Sequence, residues 1–526
     1  MTAATYVPNT SIDMQGVDTI AAYDETYING NLALLLKTGR TSTGGALSDV
    51  QLNTGQNSWL KGTVSALAVK LGVANAPQRV KFLISFKTGT MDYTDLQATP
   101  PGPQTADISG LVIAYEVDLN VQDVLNAKNL PPAVSKDVAA RISNVTAGSF
   151  TIKQVLMDVS QAALSAPDPG DTVYPAAFTA AAKAALQAYM ASYVAEVSQA
   201  GGTTLGYAVT VQNPNGANDP VASFPPTSLE LLVNPYQPVA GDPPTPAFDC
   251  LTFAMMSNGA AMPAKLGPWA NFVRPGDGLL GILGVMGVRG GLFRDFLCKT
   301  LSPVVCAYSS LYDRTDSLNV GVSAATGAFT PTALGGTCTG GPFTSHNEYG
   351  SDNADYGLGV TIDMAVTPGS NSIKIVYTLD FSVALTHFYL WRHSVSAPDY
   401  SVSFSIPVTY DIALLGVSDG ALVVNVTKSI PPAPPNVISR YNYFWLISSE
   451  TGSYPWTNAG VQAFDKAISD SIDGVMPGLL PKNLEGAIAK ALTLTPFVFP
   501  GGAQIYLKNP TFSTQGDLLA GLSLQA

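Results

Sequence analysis

Charge is what this chain has least of. Of its 526 residues only 12% are Asp, Glu, Lys or Arg, about half the usual share in a soluble protein, so its polar surface must come mainly from Ser, Thr, Asn, Gln and backbone. Basic residues are the scarcer sign: 26 Lys and Arg stand against 38 Asp and Glu, for a net charge of -12. No basic cluster is long enough to follow a phosphate backbone, so nucleic acid is not an expected partner. Contact with a membrane surface would have to be apolar or local rather than polybasic.

Histidine and cysteine are nearly missing too. The three histidines, His346, His387 and His393, form no HExxH or other metal spacing. His387 sits on the apolar face of a long alternating segment and reads as a core histidine bonded to a neighbour. The four cysteines, Cys250, Cys298, Cys306 and Cys338, never come close enough in sequence for a zinc knuckle or a thiol redox motif. Cys298 and Cys306 lie among Leu297, Leu301, Val304 and Val305 and read as buried free thiols; whether any two cysteines pair, Cys298 with Cys306 included, stays open.

Long apolar runs are also absent. The longest, Gly278 to Val288, stops at Arg289, well short of the roughly 20 residues that span a bilayer. The opening MTAATYVPNTSID has neither a basic start nor an apolar core, so neither a signal peptide nor a transmembrane helix is expected. A protein that is cytoplasmic, or released without a classical leader, follows as the expectation.

What the chain has is alternation. Leu111, Ile113, Tyr115, Val117, Leu119 and Val121 share one face of a strand whose other face carries Glu116, Asp118 and Asn120, a sheet with one dry and one wet side. Leu358 to Val366 and Tyr400 to Ile412 alternate in the same way. Between them Ile373, Ile375, Tyr377, Leu379, Phe381, Val383, Leu385, His387, Tyr389 and Trp391 occupy alternate positions. At about 3.3 Å per residue such a run reaches roughly 60 Å, far beyond the usual strand, so the sheet must twist and curl.

Helical spacing is rarer. It predicts a first helix from a cap at Asp18 to a stop at Gly39, a second over Pro175 to Gln199, and a third over Gly291 to Val305. Val461 to Val475 and Leu484 to Leu492 continue the pattern near the end. Nine prolines between Asn213 and Phe248 mark a boundary. The expected organisation is residues 1–245, a helix-plus-curved-sheet domain ending in a Pro-rich linker, and residues 246–526, a second such domain whose last part (about 455–526) is helical.

Chemistry is hard to find. Gly416-Val417-Ser418-Asp419-Gly420 matches a nucleophile elbow in form, but strand patterns flank it on both sides, so it reads as a hairpin. The stretch His346 to Asp355 gathers oxygen ligands without the acidic spacing of a calcium loop. Gly276 to Gly291 lacks a phosphate-binding pattern and reads as a bend with close packing. No catalytic residue, metal or cofactor is therefore assigned, and the protein is expected not to be an enzyme.

Several stretches resemble the tubular lipid-binding (TULIP) superfamily, and within it the OrfX-type accessory proteins of clostridial neurotoxin gene clusters. They are Gly16-Val17-Asp18-Thr19-Ile20, Tyr189 to Tyr207, Leu279 to Leu297, and Phe499-Pro500-Gly501-Gly502 before Ile505-Tyr506-Leu507-Lys508. Gly16-Val17 depart from the aromatic residue that the family carries there. The resemblance implies an α+β, mainly β fold: long, highly curved antiparallel sheets wrapped around long amphipathic helices in two tandem units. It also implies a lipid or another apolar small molecule as partner, with a toxin or membrane-acting system as context. Phe381, Leu385, Tyr389 and Phe404 are the candidate lining residues, chosen for size and alternation. A structural or interaction protein with a packed interior that docks a protein partner is the alternative.

Overall fold

The computed structural model describes residues 6–55, 58–73, 76–124, 150–159, 164, 166–211, 224, 226–238, 246–306, 328–349, 352–387, 400–418, 421–429, 438–441, 497–498 and 505–524. In chain order their elements are β1 (Thr19–Asp24), α1 (Glu25–Thr38), β2 (Asp49–Gly55), β3 (Ser58–Lys70), β4 (Arg79–Asp95), β5 (Gly102–Asp107), β6 (Val112–Val124) and β7 (Phe150–Met157). Next come α2 (Ala180–Gln199), β8 (Thr204–Val211), β9 (Pro226–Asn234), β10 (Cys250–Ser257), β11 (Gly284–Val288) and α3 (Gly290–Val305). The long strands β12 (Thr330–Pro331), β13 (Gly335–Tyr349), β14 (Asp352–Val366), β15 (Ser372–His387), β16 (Tyr400–Ser418) and β17 (Ala421–Ser429) follow, only β12 being short. The chain ends with β18 (Ile438–Tyr441), β19 (Phe497–Val498), β20 (Ile505–Phe512) and β21 (Leu518–Leu524). This is an α+β, mainly β protein built from long antiparallel strands and few helices.

Two compact units result: Met1–Arg289 with Val417–Gly420 and Thr493–Ala526, and Gly290–Gly416 with Ala421–Leu492. The proline-rich stretch expected to be a linker belongs to the first unit. It holds β9 because Thr227 to Asn234 is free of proline and pairs with β10 along its length.

In the first unit an antiparallel sheet runs β19-β8-β7-β6-β4-β3-β2, with β5 also on β4. β3 and β4 approach closely where Gly62 faces Gly89: a Cβ on Gly62 would fall 2.8 Å from the Thr88 carbonyl, and one on Gly89 2.6 Å from that of Lys61, so only glycine allows this approach. The inner face holds α2. Thr179 caps α2 by accepting from the Ala182 N–H, and Leu186, Tyr189, Met190, Tyr193 and Val197 are buried. Tyr189 donates to the Asp92 carbonyl and Tyr193 to that of Leu47, both at 2.9 Å, so each ring is buried with its hydroxyl satisfied.

The first helix starts later than its spacing predicts. Thr19 to Asp24 form β1, all six residues buried, and α1 begins at Glu25 with Asp24 as its cap. A strand buried on both faces is apolar throughout, so periodicity does not separate it from a helix. Strands β20, β21, β11, β1, β10 and β9 lie side by side in that order. On one face Ile20, Ala22, Ala254 and Val285 pack with Met14, Trp269, Phe272 and Val273.

The second unit carries β12 to β16 in sequence order, each antiparallel to the next, with β17 and β18 on β16. Within the last part of the chain, Leu518–Leu524 form β21 of the first unit, while the helices expected over Val461–Val475 and Leu484–Leu492 lie outside the described residues.

Candidate functional site

The site is built on α3 and the strands it crosses. Phe293, Leu297, Cys298, Leu301 and Val305 form the buried stripe of α3, the 3.6-residue repeat read from the sequence. Arg294 donates to the Thr332 carbonyl at 3.0 Å, and the Cys298 thiol lies 3.7 Å from that of Gly335. A Cβ on Gly336 would meet the Cys298 sulfur at 2.6 Å, so glycine there lets the helix approach the sheet. Ser302 accepts from the Phe329 N–H at 3.0 Å. At the far end the Tyr377 hydroxyl donates to the Val305 carbonyl at 3.3 Å, and Cys306 is disulfide-bonded to Cys338.

Cys338, Ile362, Tyr377 and Val408 form one register row across β13 to β16. The helix therefore ends level with that row. Beyond it β15 runs on from Thr378 to His387, roughly 33 Å at about 3.3 Å per residue. Over that length alternate rows read Val360–Leu379–Ile406, Leu358–Phe381–Phe404, Tyr356–Val383–Val402 and Ala354–Leu385–Tyr400. The rows between them read Gly359–Asp380–Ser405, Gly357–Ser382–Ser403 and Asp355–Ala384–Ser401. One series is apolar and the other small or polar. Asp380, Ser382 and Ser405 are exposed, with Ser405 donating to Asp380, whereas Leu379 and Val408 on the first series are fully buried.

Of the candidate lining residues, Phe381 stands directly opposite Phe404, and Leu385 opposite Tyr400, two rows away; Tyr389 lies outside the described residues. Among the described side chains of the apolar series none is charged. Tyr377 and Tyr410 meet edge to face at 5.8 Å, and burial pushes the Tyr410 phenol up to about 12. The residue types of the apolar rows offer apolar contact.

The other sequence motifs fall in strands and turns among the described residues. His346 to Asp355, which contained the calcium reading, falls largely within β13 and β14: His346 pairs with Asp355 and Asn347 with Ala354. No group of three or more metal-ligating side chains converges among the described residues. β16 ends at Ser418, β17 begins at Ala421, and the two pair, so strands flank Ser418 and no helix follows to present it. Asp277 to Leu280 form a 3₁₀ turn between Gly276 and Gly281, both left-handed, the expected bend. Cys306, expected as a buried free thiol, is instead disulfide-bonded to Cys338; cysteine spacing had no signal for this pairing, because Cys338 reaches Cys306 only through the packing of α3 on β13. Cys250 and Cys298 are free and buried.

No family model and no curated protein matches the chain. Solved structures do. P47 from Clostridium botulinum A2 is similar at a TM-score of 0.46 and 10% identity, covering 98% of this chain and 98% of that one. P47 of Clostridium botulinum E1 follows at 0.43 and 9%, over 97% and 99%. A lipopolysaccharide binding protein gives 0.33 and 10%, over 97% and 99%. At such scores these likenesses assign neither ligand nor activity to this chain. No helix among the described residues is long and apolar enough to cross a membrane.

Proposed function

We propose that the protein is a non-enzymatic carrier of an acyl chain or a similarly shaped apolar molecule, held along the strand rows beyond the end of α3. The observation that supports this reading is the mismatch of lengths. The apolar series continues for eight residues of β15, to Leu385, past the row where Tyr377 and Cys338 meet the helix end, and every position of β14, β15 and β16 in its four rows from Val360–Leu379–Ile406 to Ala354–Leu385–Tyr400 is apolar or aromatic, before Asp352 and His387 close it. A tail laid along it would gain about 0.8 kcal/mol per buried methylene, with no need for a charged or catalytic group. In this reading Phe381, Leu385, Tyr389 and Phe404 supply the lining.

Protein purified without detergent should release an acyl-chain compound on solvent extraction, and native mass spectrometry should show the matching mass difference. Phe381→Asp combined with Phe404→Asp should weaken retention by about two to four orders of magnitude, since each aromatic contributes roughly 1.5–3 kcal/mol of burial. Asp380→Asn, on the opposite series, should leave it unchanged. A bare mass in both the native and the double-variant protein would sink the proposal in favour of a packed interior that serves a protein partner.

A further inference from the structure

Three carboxyl groups of the first unit converge where α1 begins. Asp24 ends β1 and is almost fully buried; its carboxylate accepts from the Tyr27 N–H at 2.8 Å. Glu25, the next residue, accepts from the Leu71 N–H at 3.0 Å. Asp249 is buried as well, accepts from the Tyr236 N–H at 2.7 Å, and through its backbone carbonyl accepts from the Glu25 N–H at 3.1 Å. Gly72 closes the cluster: a Cβ there would stand 2.5 Å from the Asp249 carboxyl. Each acid thus holds the backbone of a different segment, respectively the first turn of α1, the loop after β3 and the loop after β9.

The surroundings do little to neutralise them. Lys70 lies toward Glu25, but its ammonium is paired with Asp171 and half exposed. The Cys250 thiol faces Asp24 and Asp249 and is itself pushed up, first by burial and then by those two carboxyls. Burial, with the neighbouring acid as a further cause, lifts Asp24 and Glu25 each to about 7, and burial lifts Asp249 above its ordinary value.

We propose that Asp24, Glu25 and Asp249 form a proton-operated latch, which ties the start of α1 to the loops after β3 and β9 when the acids carry protons and loosens when all three ionise. The sign follows from linkage. The folded chain holds protons that the unfolded chain gives up near pH 4, so stability falls as pH rises from about 4 to about 7 and levels off above it. Each amide keeps an acceptor in either state, so the change comes from placing negative charges together away from water.

The full chain should therefore melt at least about 3 °C higher at about pH 5.5 than at about pH 8. Over the same range the Leu71 and Tyr236 amides should gain protection from hydrogen exchange beyond the intrinsic pH effect. The Asp24→Asn, Glu25→Gln, Asp249→Asn variant keeps the acceptors without the charges and should lose most of that pH dependence. A flat melting profile in the unaltered protein, or a variant that keeps the full slope, overturns the proposal. Infrared spectroscopy of the unaltered protein decides the matter even if the variant fails to fold: a protonated-carboxyl band fading between about pH 6 and 8 supports the latch, and its absence at pH 6 rejects it.

Discussion

Asp18 shows how much one side chain can hold. One of its oxygens accepts from Arg289 Nε at 2.9 Å and Nη2 at 2.6 Å, and the other accepts from the Ser257 N–H at 2.9 Å, so it joins the start of β1 to the ends of β10 and β11. The carboxylate is buried while Arg289 is partly exposed. Asp18→Ala would leave a buried N–H unsatisfied and strip the guanidinium of its partner. Such losses cost about 3–5 kcal/mol when the pair is buried; with Arg289 partly exposed the expectation is about 2–4 kcal/mol, measurable as a lower denaturant midpoint at unchanged slope. Helical spacing cast Asp18 as a cap. That role belongs to Asp24, because the apolar residues between them are a buried strand and not a first helical turn. Both acids were visible in the sequence, but which amides they meet depends on residues more than 200 positions away in one case and three in the other.

At the scale of elements, α3 joins local signal to distant contact. Its apolar stripe was legible from Leu292 to Val304, and α2 was expected to end where it does, at Gln199. The long alternating run is β15 as far as His387; Tyr389 and Trp391 lie outside the described residues. The disulfide that fastens the end of α3 to β13 was not legible. It links residues 32 apart in sequence, a loop whose closure in the unfolded chain is worth about 3–4 kcal/mol in the entropic account. Cys306→Ser, or reduction, should lower unfolding free energy by up to that amount, and chemical denaturation with and without a dithiol checks it. Cys250→Ser is no suitable control, since Cys250 is fully buried; Ser370→Ala, on an exposed turn, should leave the midpoint within about 0.5 kcal/mol.

For the whole molecule, two sets of carboxyls act in opposite directions. The latch acids favour folding as pH drops through 7. Asp171 is held down to about 2, mainly by its hydrogen bonds to Lys70 and Lys81, so its contribution is present above about pH 4 and is lost as pH falls through 2. Thermal stability should consequently peak in the mildly acidic range, between about pH 4 and 6, with a decline on the acid side that Asp171→Asn makes shallower. A melting series over the full range tests this, and a maximum at pH 8 would contradict it.

The sequence by itself determined the fold class, the long strands and the lack of a spaced catalytic or metal motif. Period-two alternation is a local property: it survives in any register, since each apolar residue needs only one dry side of a sheet. Tertiary structure alone decided the rest. Register set Phe381 against Phe404, helix-on-sheet packing brought Cys306 to Cys338, and the meeting of the β1–α1 junction with the loops after β3 and β9 gathered Asp24, Glu25 and Asp249 together. These pairings depend on which strands become neighbours, and composition and spacing along one chain do not encode that choice in any short stretch.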